Sequence, residues 1–339
     1  MKAAFSKKTV FKVLRYILVL PALGMIVYIL ANTDFRLIWL HLREVPLPLA
    51  ALLLSLQLVT QMALNLQWYL LSRNLNLKTS FLQLFVINAY GTLTDAVTPG
   101  EKVGGEVVRI IQFKRILKYS ANQSTSLVAI QKSVSVFSLV LLNFIALLTL
   151  SKEISFLESD TTRAVLIVIS AVLALFFLSL LFFTERLNIL VQKMNHNGNI
   201  GKGVKRWMQG FTRDTKLISR HPGRWIQQLL LSLGIWALFP LKLFILVSHY
   251  ASVNPLVLFA ITFVSYFAAM IPLLPGGLGT FESIMSGMLL INGLAIEEAL
   301  AISLIFRFVT FWFVVLISVL IVFLWKVFTH GRKKAYEGQ

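Results

Sequence analysis

Two carboxylates and two cations stand in stretches of this sequence that are otherwise apolar. Glu106 follows one Pro-Gly pair, Pro99-Gly100, and Glu282 follows another, Pro275-Gly276, each seven residues after its proline. A cation answers each one downstream: Lys132 lies 26 residues after Glu106, and Arg307 lies 25 after Glu282. Ionised side chains within a bilayer need a partner or a hydrated cavity. The expected ion pairs are therefore Glu106–Lys132 and Glu282–Arg307, with Arg109 one helical turn from Glu106. Gly100, Gly104 and Gly105, like Gly276, Gly277 and Gly279, would let a headgroup approach the backbone closely, or equally would allow tight hairpin packing. A short helix opening after a Pro-Gly break presents free N–H groups and a positive dipole end to an anion. The candidate substrate-binding set is thus Pro99, Gly100, Gly104, Gly105, Glu106, Arg109, Lys132, Pro275, Gly276, Gly277, Gly279, Glu282 and Arg307. Asp95, just before the first break, is a further candidate for proton coupling.

The elements that must position these residues are membrane helices. Of 339 residues, 57% are apolar and only 14% charged, far from the balance of a soluble domain. Several apolar runs approach the ~20 residues needed to cross a hydrocarbon core. Strands of alternating hydrophobicity are absent from the pattern, which argues against a barrel. Without cysteine, neither disulfides nor thiolate chemistry is available.

In chain order, the expected fold is an all-α polytopic integral membrane protein with about six full transmembrane helices and two re-entrant helical hairpins. Residues 1–45 supply a retained first helix, Val13–Leu30, and an outer loop. Residues 46–150 form repeat 1: a helix from Pro46 to about Leu71, a hairpin with arms Phe81–Gly91 and Val103–Leu117, and a crossing over Ser124–Leu150. The first of these helices carries Gln57, Gln61 and Asn65 at i, i+4 and i+8, one polar stripe that should face protein or a hydrated cavity. Residues 151–224 hold a linking crossing, Ala164–Phe183, and a basic connector with a surface helix around Val204–Ile218. Residues 225–326 form repeat 2: a crossing over Trp225–Tyr250, a hairpin over Pro255–Asn292 broken at PLLPGGLG, and a last crossing over Ala299–Trp325. Residues 327–339 are a basic tail. Lys242, late in its helix, is ambiguous between the polar site and simple snorkelling.

The net charge of +18 is not a nucleic-acid signature, because no matching module or aromatic-basic platform accompanies it. Instead 23 of the 32 Lys/Arg residues fall in the segments that this topology places inside, and four in the outer loops. That bias fixes orientation, with both termini cytoplasmic in a plasma (inner) membrane. The two repeats then enter from opposite faces, as inverted repeats with broken helices do in transporters. Enzyme chemistry finds no support: HExxH, GxxxxGK[ST] and GxSxG are all missing. The five histidines are scattered, so no metal site and no cofactor is expected.

The ordered motifs QWYLLSRNL, TLTDAVTPGEKVGGEVVRIIQFKR, PLLPGGLGTFE and EEALAISLIFRFVTFW together resemble the lysylphosphatidylglycerol synthase transmembrane-region family, a flippase-like membrane domain. The resemblance places a PG…GGE..R pattern on Pro99, Gly100, Gly104, Gly105, Glu106 and Arg109. It places a GGLG..E pattern on Gly276, Gly277, Leu278, Gly279 and Glu282, with the later arginine at Arg307. Two positions depart from it: the family often has Arg-Trp where Gln67-Trp68 stands, and Glu-Arg where Gln131-Lys132 stands. The soluble aminoacyl-transferring domain of some members is not expected here, so lysyl transfer is not implied. What the resemblance implies is movement of a phospholipid or lipid-linked headgroup between leaflets through a central polar cavity. The alternative is a non-transporting membrane partner that presents lipid to a glycosyl- or phospho-transferase. Expected partners are membrane lipids and, in the second case, a lipid-modifying enzyme, with no nucleic acid.

Overall fold

The structure is a computed structural model, and it describes residues 36, 40, 43–98, 104–150, 160–193, 199–270 and 276–337. The expected first helix, Val13–Leu30, lies outside the described residues, as do Pro99, Gly100 and Pro275. Every regular element described is helical: α1 (Leu47–Asn74), α2 (Phe81–Val97), α3 (Gly104–Ile116), α4 (Ala121–Leu150), α5 (Asp160–Phe182), α6 (Thr184–Lys193), α7 (Asn199–Ser219), α8 (Pro222–Val247), α9 (Pro255–Ala269), α10 (Thr280–Ile291), α11 (Ile296–Arg307) and α12 (Phe313–Glu337). One π-turn, Phe308–Trp312, joins α11 to α12.

Prolines open α1, α8 and α9, where the missing N–H is no loss. At α9 the Asn254 side chain accepts from the Leu256 amide at 3.0 Å, an N-cap. Four helices are long and apolar enough to cross a membrane: Leu47–Asn74, Ala121–Ile145, Pro222–Val247 and the joined run Ile296–Thr329. The apolar pair Ser170–Phe182 and Thr184–Lys193 turns by 87° at residue 183 and counts as a fifth span only if both pieces are taken together. The expected linking crossing thus ends in a sharp corner, with α6 as an extra helix the sequence reading did not separate. α5 and α12 leave Val168, Val172, Leu175, Phe176, Leu316, Val319, Leu320 and Phe323 exposed. An apolar surface of that extent suits hydrocarbon, not water.

Four of the shorter helices form two packed pairs. α2, α3, α9 and α10 have 17, 13, 15 and 12 residues, below the ~20 that span. α2 packs on α3, and α9 on α10. Each pair has its own apolar core. Leu84, Ile87 and Phe113 of the first pair join Trp68, Leu71, Leu127 and Trp225. Tyr266, Phe281 and Met285 of the second join Trp236, Phe239, Leu243 and Phe306. The connector helix α7 is amphipathic and buries Met208, Phe211 and Ile218 in the first core, leaving Lys202, Arg206, Arg213 and Lys216 exposed.

Candidate functional site

A cavity of about 130 Å³ lies between the two cores, roughly ten times the ~10–15 Å³ that holds one water molecule. Its wall draws on α1 (Gln57, Thr60, Gln61, Gln67), α2 (Asp95), α3 (Glu106, Arg109), α4 (Gln131, Lys132), α8 (Trp236, Phe239) and the π-turn (Thr310, Phe311). Polar side chains therefore converge on it from six directions, which is the signature of a ligand or solvent chamber in an apolar protein.

The hairpin α2–α3 brings the first charged cluster together. Close approach comes first: a Cβ on Gly105 would collide with Asp95 and the Gly91 carbonyl, and one on Gly91 with the Arg109 guanidinium. With glycine at both points, the Gly105 amide donates to Asp95 Oδ1 at 2.8 Å, so Asp95 caps α3 from the neighbouring helix. Arg109 Nη2 lies 3.4 Å from Asp95 Oδ2, and its Nη1 lies 3.3 Å from Glu106 Oε2. Lys132 Nζ on α4 reaches Glu106 Oε1 at 3.4 Å. The four charges thus form one chain, Asp95–Arg109–Glu106–Lys132, and all four side chains line the cavity.

The second cluster has the same chemistry and a different setting. Arg307 is 1% exposed. Its Nη2 donates to the Gly276 carbonyl and its Nε lies 3.4 Å from Glu282 Oε1. The guanidinium sits 4.8 Å from the ring centre of Phe281 and 4.2 Å from that of Phe311. Glu282 Oε2 accepts the Gly279 amide at 2.7 Å, closing the first turn of α10. Gly276, Gly277 and Gly279 have φ of +61°, +68° and +77°, a run of left-handed backbone that other residues rarely adopt. Neither Glu282 nor Arg307 is among the described residues lining the cavity. The geometry makes Arg307 a clamp on the glycine turn, with Phe311 between it and the chamber.

Sequence reasoning anticipated the pairing of each glutamate with its downstream cation. It did not anticipate that the amides of Gly105 and Gly279 are both taken by carboxylates, so these helix starts are not open to an external anion at those atoms. Lys242 does not snorkel. Its side chain is fully buried, and Nζ donates to Gln57 Oε1 and to Thr60 Oγ1 at 3.1 Å. Of the polar stripe on α1, Gln57 and Gln61 face the cavity, while Asn65 donates to the Phe81 carbonyl at 2.9 Å and tethers α2. The aromatic wall of Trp236, Phe239 and Tyr266 was missed, because aromatic residues in an apolar helix carry no signal of facing a polar space. Trp236 Nε1 ties this wall to α4, donating to the Ser135 carbonyl at 3.0 Å.

The two departures from the family pattern turn out to be neighbours. Gln131 Nε2 donates to Gln67 Oε1 at 3.2 Å across α4 and α1, and Gln67 Nε2 donates to the Gln228 carbonyl at 3.3 Å. A neutral amide pair thus stands at the positions where the resemblance pairs arginine with glutamate, and both members line the cavity.

The family model described as "Lysylphosphatidylglycerol synthase TM region" matches residues 12–318. A UPF0104 membrane protein of Methanothermobacter thermautotrophicus is 21% identical over 265 residues, covering 74% of this chain and 77% of the relative. A UPF0104 membrane protein of Pyrococcus horikoshii is 25% identical over 276 residues, covering 76% and 81%. With apolar helices of spanning length in the fold and a match over most of its length, the chain belongs to the lysylphosphatidylglycerol synthase transmembrane-region family and is a multi-pass integral membrane protein.

Proposed function

We propose that the protein moves a phospholipid or lipid-linked headgroup between leaflets through the central polar cavity. The observation that carries this reading is the chain of four charges, Asp95–Arg109–Glu106–Lys132, along the wall of a chamber between membrane helices. Four ionisable groups in hydrocarbon are expensive unless they serve a path or a ligand. A structural ion pair would be more economically hidden, as Arg307 and Glu282 are.

In this reading α2–α3 and α9–α10 are re-entrant hairpins that enter from opposite leaflets as inverted repeats, in a plasma membrane with both termini cytoplasmic. Their short lengths, the helix-to-helix packing within each pair and the charge bias of the loops support it. Access alternates as one repeat rocks against the other.

The test is labelled phospholipid in vesicles containing only the purified chain. Translocation faster than in protein-free vesicles is expected. A second reading draws on the family description, which names the membrane region of a synthase: the chain would present lipid to a transferase without moving it. Stoichiometric co-purification of an enzyme together with protein-free rates of translocation would favour that alternative.

A further inference from the structure

The α1–α8 wall of the cavity holds a second polar group, apart from the Glu106 cluster. Lys242, Gln57 and Thr60 are buried to 0%, 0% and 2% exposure. An ammonium has hydrogens to give and no lone pair to accept with. The atom of Gln57 that meets Lys242 Nζ is therefore its oxygen, which fixes the amide and turns Nε2 the other way. Thr60 has no hydrogen left to give: its hydroxyl donates to the Leu56 carbonyl at 2.8 Å and accepts from Lys242. Phe239 covers the ammonium, 4.2 Å from its ring centre.

What remains is Gln57 Nε2. It is buried, belongs to a cavity-lining side chain and has no hydrogen-bond partner among the described residues. A buried donor left unmatched is costly, of order 1–3 kcal/mol, and one polarised by a cation on its own carbonyl oxygen is a stronger donor than usual. It calls for an acceptor oxygen in the chamber. Charge narrows the choice. Among the described residues in or directly behind the wall, Asp95 and Glu106 stand against Arg109, Lys132 and Lys242, one more cation than anion. In a low-dielectric site that excess favours a monoanion.

We propose that Gln57, oriented and polarised by Lys242, is an acceptor-reading subsite for the oxygen of a phosphate monoanion, the charge borne by a phosphodiester. This deepens the proposed function, on which it rests, by assigning the phosphodiester end of the lipid to the α1–α8 wall rather than to the Glu106 cluster.

The experiment titrates the purified full-length chain in detergent, following the fluorescence of the cavity tryptophans. The ligands are dioleoyl phosphatidylglycerol, dioleoylglycerol without phosphate, and glycerophosphoglycerol, the same phosphodiester without acyl chains. The wild type is expected to bind phosphatidylglycerol in preference to dioleoylglycerol. Gln57→Glu keeps an acceptor for Lys242 but removes the donor, and should weaken phosphatidylglycerol binding roughly tenfold or more with little loss of thermal midpoint. Gln57→Met, which removes the donor without adding charge but also takes an acceptor from Lys242, should weaken binding likewise at a lower thermal midpoint, and stands in if the glutamate variant fails to fold. The same Gln57 dependence with glycerophosphoglycerol would support the subsite and assign it to a soluble phosphodiester. Wild-type affinity in both variants, or equal binding of dioleoylglycerol by the wild type, would overturn it. The binding readout also separates the two levels: Gln57-dependent binding without translocation leaves the subsite standing and removes the flippase, and translocation without it does the reverse.

Discussion

The Gly276 amide donates to the Thr98 carbonyl at 3.2 Å, so the two glycine-bearing breaks touch through the backbone although 178 residues separate them. Thr98 ends α2, and Gly276 opens the turn before α10. The carbonyl of Gly276 is in turn held by Arg307. One hairpin is thereby locked to the other, at the edge of the cavity that both help to enclose. Any change of access must either keep this contact as a pivot or break it.

That geometry sets a stability prediction. Gly276 has φ +61°, and a Cβ there would press on the Phe311 ring. Gly276→Ala should destabilise the protein by about 1–3 kcal/mol, read as a lower thermal midpoint in detergent. An unchanged midpoint would mean that the turn is not held as described.

Arg307 is expected to act on folding. Arg307→Ala leaves the Glu282 carboxylate without its buried cation and the Gly276 carbonyl without its donor. Losing one partner of a buried pair costs about 3–5 kcal/mol, so yield and thermal midpoint should both fall. Arg307→Lys keeps the charge but not the planar stack between Phe281 and Phe311, and should restore only part of the loss. A variant as stable as the wild type would contradict the clamp.

The connector has a pH signature. Burial raises the Asp214 carboxyl above its ordinary value, a push only partly offset by the adjacent Arg213 guanidinium. A carboxyl whose folded value is raised binds its proton more tightly when folded, so stability rises as pH falls through that raised value and levels off below the ordinary value of 3.8. Asp214→Asn should flatten this part of the pH profile and stabilise the protein at neutral pH. Identical profiles of thermal midpoint against pH in wild type and variant would rule the effect out.

Much of the site was legible because membranes leave few reasons for a charge. Glu106, Lys132, Glu282 and Arg307 stood out against apolar neighbours, and matched spacing paired them before any coordinates. What the pattern could not convey was depth. Two clusters of one chemistry differ because Phe281 and Phe311 sandwich Arg307, whereas among the described residues no ring covers Arg109 in that way. Asp95 was legible as a candidate for proton coupling, but its role as the cap of α3 depends on Gly91 and Gly105 letting two helices close to contact. Lys242 was ambiguous from the pattern, since its two acceptors lie more than 180 residues earlier on α1. The corner at residue 183 was invisible for a related reason: α5 and α6 both read as helix, and the sequence pattern carries no angle.

The central claim, that Glu106 and its cations form the path of a lipid headgroup, is tested most directly by translocation of labelled phosphatidylglycerol in vesicles containing the Glu106→Gln chain. This isosteric change leaves the hairpin cap at Asp95 intact but frees Lys132 and Arg109 from their shared carboxylate. The account predicts a rate at least roughly tenfold below wild type at equal protein insertion, the loss of one charge-assisted contact of ~1.5–3 kcal/mol in the path. Wild-type rates from the Glu106→Gln chain would contradict it.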